Sequence, residues 1–94
     1  MALYWTREAI ADRDTIYDYI EADNPAAALA LDELFEEKAT LLVDHPRMGR
    51  RGREADTREL VAHHNYILVY DVTGDGVRVL RVLHEARQWP PPER

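Results

Sequence analysis

The sequence contains no cysteine, and this absence excludes both a disulfide framework and a cysteine nucleophile. It has no apolar run near the ~20 residues of a membrane-spanning helix, and no basic segment followed by an apolar one at its start. Its four glycines fall at turn positions rather than in a phosphate-binding loop. From these absences we expect a soluble, cytoplasmic protein that needs no cofactor.

The composition is that of a folded domain with an uneven distribution of charge. The chain has 94 residues, of which 46% are apolar and 32% charged, and this predicts a single domain over 1–94. Residues 1–44 contain three basic and eleven acidic residues, a net of −8, whereas residues 45–94 contain nine arginines and seven acids, a net of +2. The acidic half disfavours binding of a nucleic-acid duplex by the whole surface, but a local arginine site stays compatible with it.

Local signals in the first half predict one strand and two helices. Ala2–Trp5 is a short apolar and aromatic run typical of a strand. Thr6 is a suitable N-cap for a helix that ends near Asp23. Asn24-Pro25 supplies a new cap and a first-turn proline, and the second helix ends at His45-Pro46 because the residue before proline avoids the helical region. With almost no linker between them, the helices should form an antiparallel hairpin.

The second half predicts an arginine-rich loop followed by a small sheet. The loop covers 46–56, and Thr73–Gly76 has the composition of a hairpin turn. Strands are predicted at residues 57–62, 66–72 and 77–84. The fold class is therefore α+β, with the helix hairpin packed on one face of a small, mainly antiparallel sheet. The other face should stay open, and a partner should meet that open face or the strand ends.

Five segments in this order resemble the RelE/ParE superfamily, the toxins of bacterial type II toxin–antitoxin modules. They are Asn24-Pro25 between the helices, Leu42 to Pro46 followed by Gly49-Arg50, Arg58-Glu59-Leu60, Tyr66 to Tyr70, and Leu80 to His84. The resemblance implies a growth-arresting protein that a cognate antitoxin holds inactive in a hetero-oligomer. RelE-like members cleave messenger RNA on the ribosome, whereas ParE-like members poison DNA gyrase without being enzymes.

Matching the residues to these two branches favours the ParE-like branch. Arg58 matches a basic strand residue of the nucleases, and Arg87 matches their arginine after the last strand. Ile67, however, stands where the nucleases carry an arginine, and no tyrosine lies near the C-terminus. The run from Arg81 to His84 resembles the last strand of ParE-like toxins. Gyrase inhibition is thus the first hypothesis; a ribosome-dependent nuclease and an inactive antitoxin-binding module are the alternatives.

If the protein is a nuclease, its catalytic candidates are Arg58, His84 and Arg87. Cleavage needs a proton acceptor, a proton donor and cations for the charge on the phosphate. His84 titrates near neutrality, with an unperturbed pKa of about 6.5, but it could equally do no more than cap its strand. Arg58 and Arg87 could hold a phosphate, or they could pair with Glu59 and Glu85 as ordinary surface charges.

The predicted partner-binding residues are basic or aromatic and belong to the second half. They are Arg50, Arg51, Arg53, Arg58, Arg81, His84, Arg87 and Trp89. The loop arginines could steer nucleic acid or an acidic partner, although such a loop could also be merely solvated and mobile. Trp89 could pack over the end of the sheet. His63 and His64 should not bind a metal together, because neighbours on a strand point to opposite faces.

Overall fold

The computed structural model of the protein describes residues 1–63 and 65–85, and these form a five-stranded sheet with two helices. In chain order the elements are β1 (Ala2–Trp5), α1 (Arg7–Glu21), α2 (Pro25–Asp44), β2 (Arg50–Arg51), β3 (Arg58–His63), β4 (Tyr66–Thr73) and β5 (Gly76–His84). The strand order is β1-β5-β4-β3-β2, with β1 parallel to β5 and the other pairs antiparallel. The predicted α+β fold is confirmed, and the predicted strands differ from the observed ones by one residue at their ends.

Both helices begin at the predicted caps. The Thr6 hydroxyl accepts a hydrogen bond from the Ala9 amide at 3.1 Å, and the Asn24 side chain accepts one from the Ala27 amide at 3.1 Å. Each bond satisfies an amide that has no partner within its helix. α2 ends at Asp44, as the following His-Pro pair predicts. Neither helix has a stretch long and apolar enough to cross a membrane in the part of the chain that the structure describes.

The first strand lies beside the last one, which is a pairing that local sequence signals do not reveal. β1 runs from Ala2 opposite Gly76 to Trp5 opposite Val79. A Cβ atom on Gly76 would collide with the Ala2 carbonyl oxygen, so the close approach of the two strands requires glycine there. β5 therefore lies inside the sheet, between β1 and β4.

The helix hairpin covers one face of the sheet and forms the main core. The helices contribute buried apolar side chains to this core, namely Ala9, Phe35, Ala39 and Leu42. The sheet contributes Ala62, Leu68, Tyr70, Val77, Val79 and Val82. Arg13 of α1 ties the layers together. Its Nε lies 2.9 Å from the Asp32 carboxylate on α2, and its guanidinium lies 4.4 Å from the ring centroid of Trp5 on β1.

The opposite face is not open at its centre, so that prediction is wrong there. Ile67, Val69 and Leu83 are at most 2% exposed and form a second apolar cluster, with Leu80 packed against it. Successive residues of a strand point to opposite faces, so the apolar run of β4 that buries Leu68 under the helices must also place Ile67 and Val69 on the far side. This face is apolar in its middle, and its charged groups lie at the rim.

Candidate partner-binding surface

The arginine-rich loop is fixed to the sheet by a buried tyrosine. Tyr70 is fully buried; its hydroxyl donates to the Pro46 carbonyl oxygen at 2.7 Å and accepts from the Gly49 amide at 2.9 Å. Burial raises the pKa of Tyr70, and the Gly49 amide and Arg58 partly offset that increase. A Cβ on Gly49 would lie 2.6 Å from the Tyr70 hydroxyl oxygen, so only glycine fits.

Past Gly49, the loop forms the short strand β2, which sequence analysis did not predict. Arg50 and Arg51 pair with Glu59 and Arg58, respectively. The backbone of this stretch is held by both Tyr70 and β3, while the Arg50 and Arg51 side chains stay exposed to solvent. The strand places four arginines on or beside one corner of the sheet.

Two of these arginines are held by a buried carboxylate. Glu59 is 2% exposed and accepts from the Arg50 Nη2 at 3.2 Å and the Arg53 amide at 3.1 Å, while the Arg53 Nε lies 3.5 Å from it. The alternative in which Arg58 pairs with Glu59 is not seen among the described contacts, and Arg58 donates to the Gly49 carbonyl oxygen at 2.8 Å. Adjacent strand residues face opposite sides of a sheet, and this explains the difference.

Arg81, at the other side of the sheet, is bound by α1. Its Nε and Nη2 donate to the two Asp12 carboxylate oxygens at 2.7 and 2.9 Å, and the Val82 amide donates to the same carboxylate at 2.9 Å. The hydrogen bonds that Arg81 donates to Asp12 raise the pKa of Arg81. The Thr6 hydroxyl donates to the Leu80 carbonyl oxygen at 2.8 Å. α1 thus satisfies the edge of β5 where β1 has ended.

His84 lies at the end of β5 and contacts an aromatic ring. Its imidazole meets Tyr66 edge-on, with ring centroids 5.2 Å apart, and Tyr66 is also its partner across the strands. The remaining predicted site residues, Arg87 and Trp89, lie outside the described residues, as does the Glu85 to Arg87 pairing. His64 lies outside them as well, and the described residues contain no group of three or more potential metal ligands.

The catalytic candidates that the structure describes are not brought together. Arg58 lies opposite Tyr70, whereas His84 lies opposite Tyr66, four residues earlier on β4. At about 3.3 Å per residue this separates their backbones by roughly 13 Å along the sheet. Leu68 lies between the two rows, fully buried in the cluster that includes Phe35. The two backbones are therefore far apart, and cleavage would require both side chains to reach one group of the substrate from opposite ends of this row.

Three residues that organise this surface carry no clear signal in the sequence. Asp12 and Glu59 are charged residues of the kind usually found at exposed positions, and only the tertiary structure brings them into contact with arginines. Tyr70 reads as one of several aromatic strand residues. The single usable hint is Gly49-Arg50, because a glycine next to a strand often marks a close backbone approach.

Comparison with known proteins agrees with this architecture. The profile of the ParE toxin of the type II toxin–antitoxin system parDE matches residues 3–89. A putative toxin, Y4kP, of Sinorhizobium fredii is 40% identical over 87 residues, which cover 92% of this chain and 90% of the relative. Toxin RelE2 of Caulobacter vibrioides is 36% identical over 83 residues, covering 88% and 93%.

A solved structure shares the fold. The structure described as the chromosomal ParDE TA system from P. aeruginosa superposes with a TM-score of 0.80 and 30% identity, covering 89% of this chain and 95% of the other. The chain therefore belongs to the ParE toxin family of type II toxin–antitoxin systems. The names of its relatives span both the RelE and the ParE designations.

Proposed function

We propose that this toxin arrests growth by binding DNA gyrase and that a cognate antitoxin neutralises it. Membership of the ParE family supports the toxin–antitoxin pairing. The observation that carries the proposed mechanism is the separation of Arg58 and His84 by four positions of β4, with the buried Leu68 between them. A gyrase poison needs a docking surface rather than a proton relay, and it loses nothing by this separation.

The far face of the sheet gives the same proposal independent support. Ile67, which stands where the resemblance expects an arginine in a nuclease, belongs there to a cluster with Val69 and Leu83. Stabilising the charge on a phosphate during cleavage requires donors directed at the reacting group. The buried apolar centre formed by Ile67, Val69 and Leu83 offers no such donor, which favours binding over cleavage.

The experiment is a supercoiling assay with purified gyrase, relaxed plasmid and increasing toxin. We expect loss of supercoiling at saturating toxin and recovery on addition of the antitoxin encoded in the neighbouring reading frame. Full supercoiling activity at saturating toxin would reject the gyrase mechanism. A purified antitoxin that fails to bind the toxin would reject the pairing.

A ribosome-dependent nuclease is the second candidate, favoured by the 36% identity to Toxin RelE2. Its test is primer extension on messages from cells that express the toxin. Cleavage within translated codons that His84→Ala and Arg58→Ala each reduce by orders of magnitude would establish this activity in place of gyrase binding. Harmless overexpression without antitoxin would instead identify the third possibility, an inactive module that only binds antitoxin.

A further inference from the structure

A polar cleft lies at the corner of the sheet where β2 turns into β3. It has a volume of about 810 Å³ and is lined by residues 51–58 together with Asp71 and Val72. The cleft is separate from the apolar cluster of the far face and from the surroundings of His84. Two of its lining residues, Arg51 and Arg58, are direct neighbours across β2 and β3.

Among the described residues, these two guanidinium groups have no carboxylate partner. Like charges directly opposite each other on paired strands repel. Arg58 donates to the Gly49 carbonyl oxygen, and within residues 1–63 and 65–85 neither Arg51 nor Arg58 forms an ion pair with an acid. The chain has eighteen acidic and only twelve basic side chains, so acids are not scarce. The neighbouring Arg50 and Arg53 both form ion pairs with Glu59, in contrast to Arg51 and Arg58.

The walls of the cleft are held in shape without a ligand. The Gly52 amide donates to the Thr57 carbonyl oxygen at 2.8 Å, and the Thr57 hydroxyl donates to the Glu54 carbonyl oxygen at 2.7 Å. A Cβ on Gly52 would collide with the Thr57 hydroxyl, and Asp56 has a φ of 64°. A preorganised loop avoids the entropic cost of ordering its backbone on binding, so the backbone positions of Arg51 and Arg58 are set before a partner arrives.

The charge pattern selects a polypeptide over a nucleic acid. Arginine binds a carboxylate or a phosphate with two parallel hydrogen bonds, so both are chemically possible. A duplex carries one negative charge per ~1.7 Å of its axis, and it would also face Glu54 and Asp56 in the lining of the same cleft, beside Asp71, which Arg78 already binds. A polypeptide can place one or two carboxylates on the arginines and neutral residues beside the acids.

We propose that the cleft at Arg51 and Arg58 receives acidic side chains of the antitoxin and contributes to neutralisation. The inference rests on the proposed pairing with an antitoxin and names the site and the chemistry of that contact. The carboxylates of the partner would relieve the repulsion between the two guanidinium groups and remain partly exposed at the corner of the sheet.

The test is a titration calorimetry series with the purified antitoxin of the neighbouring reading frame. Arg51→Glu should raise the dissociation constant of the complex by about 10- to 100-fold, since reversing a charge at a close ion pair replaces attraction by repulsion. Arg58→Gln should raise it by about 10-fold by the same reasoning, and thermal unfolding of each variant verifies folding. The matched control is Arg47→Glu, an exposed arginine four positions from Arg51 that does not line the cleft.

Three results would overturn the inference. Unchanged affinity of folded Arg51→Glu would exclude the cleft, and an equal loss in Arg47→Glu would reduce the effect to general charge attraction. Competition by a short DNA duplex that Arg51→Glu abolishes would assign the cleft to phosphate instead. Failure of the wild-type protein to bind the antitoxin is a distinct result, because it removes the proposed pairing and the inference with it.

Discussion

Arg81 and Arg51 lie on opposite sides of the same sheet and differ in what holds them. Arg81 donates two hydrogen bonds to Asp12, and only 24% of its side chain is exposed. Arg51 is exposed, lines a cleft and has no acidic partner among residues 1–63 and 65–85. Sequence analysis assigns both to partner binding on the same grounds. The difference teaches that the positions of the acids, rather than the number of arginines, locate an available cationic surface.

The largest effect should come from removing the acid on the occupied side. Asp12→Ala leaves Arg81 and the Val82 amide without their acceptor, and we expect a loss of about 3 kcal/mol in the free energy of unfolding. Urea denaturation measures it. The control is Asp14→Ala, an exposed acid of the same helix, which should change stability by less than about 0.5 kcal/mol. Equal losses of unfolding free energy in Asp12→Ala and Asp14→Ala would mean that Asp12 does not hold Arg81 more firmly than Arg51 is held.

A smaller loss is expected from the acid beneath the cleft. Glu59→Gln keeps one acceptor but removes the buried charge that Arg50 and Arg53 neutralise, and it should cost about 2 kcal/mol. Chemical denaturation measures this, with the exposed Glu54→Gln as control. Wild-type stability of Glu59→Gln would mean that the carboxylate does not organise this corner.

The buried Tyr70 under the loop should make the stability of the protein depend on pH in the alkaline range. Since the pKa of Tyr70 is higher in the folded than in the unfolded chain, its contribution is fully present below pH ~10 and is lost as the pH rises through the folded value. Tyr70→Phe should flatten the decrease in stability above pH ~10. A hydrogen bond to Asp75 also raises the pKa of Tyr4. The measurement therefore compares Tyr70→Phe with its parent in a Tyr4→Phe background, which removes the contribution of Tyr4. An unchanged slope would contradict the assignment.

The smallest effect is expected at the unoccupied arginine itself. Arg51→Gln removes no side-chain hydrogen bond or ion pair within residues 1–63 and 65–85 and relieves repulsion from Arg58, so stability should stay within about 0.5 kcal/mol of wild type. Differential scanning calorimetry measures it, beside Arg50→Gln, which loses its contact with Glu59. A marked destabilisation by Arg51→Gln would show that Arg51, like Arg81, stabilises the folded protein.

The parts of the fold that were predictable from the sequence have local causes. Asn24-Pro25 and the turn at Thr73–Gly76 act through caps and backbone preferences within a few residues, and the structure places helix and strand ends there. The parallel pairing of β1 with β5 joins residues more than 70 positions apart and has no local signal. Glu59 looks exposed because it is charged, yet two arginines make its burial tolerable.

The same limit applied to the site. Composition drew attention to the arginine-rich loop as a candidate site, but β2 arises from contacts with Tyr70 and β3 that come later in the chain. The alternation of side chains along a strand could have shown in advance that Arg58 and Ile67 lie on opposite faces of the sheet. It could not have shown that Leu68 and Phe35 fill the space between Arg58 and His84, because helix packing decides that.

The position of β5 between β1 and β4 has a consequence for biosynthesis. A nascent chain that has reached Thr73 has made β1 but not its neighbour, and the helices cannot yet complete their packing against Val77, Val79 and Val82. Non-local pairing of this kind delays folding until both partners exist. The domain therefore cannot close around its core until β5 has been synthesised and has left the ribosome.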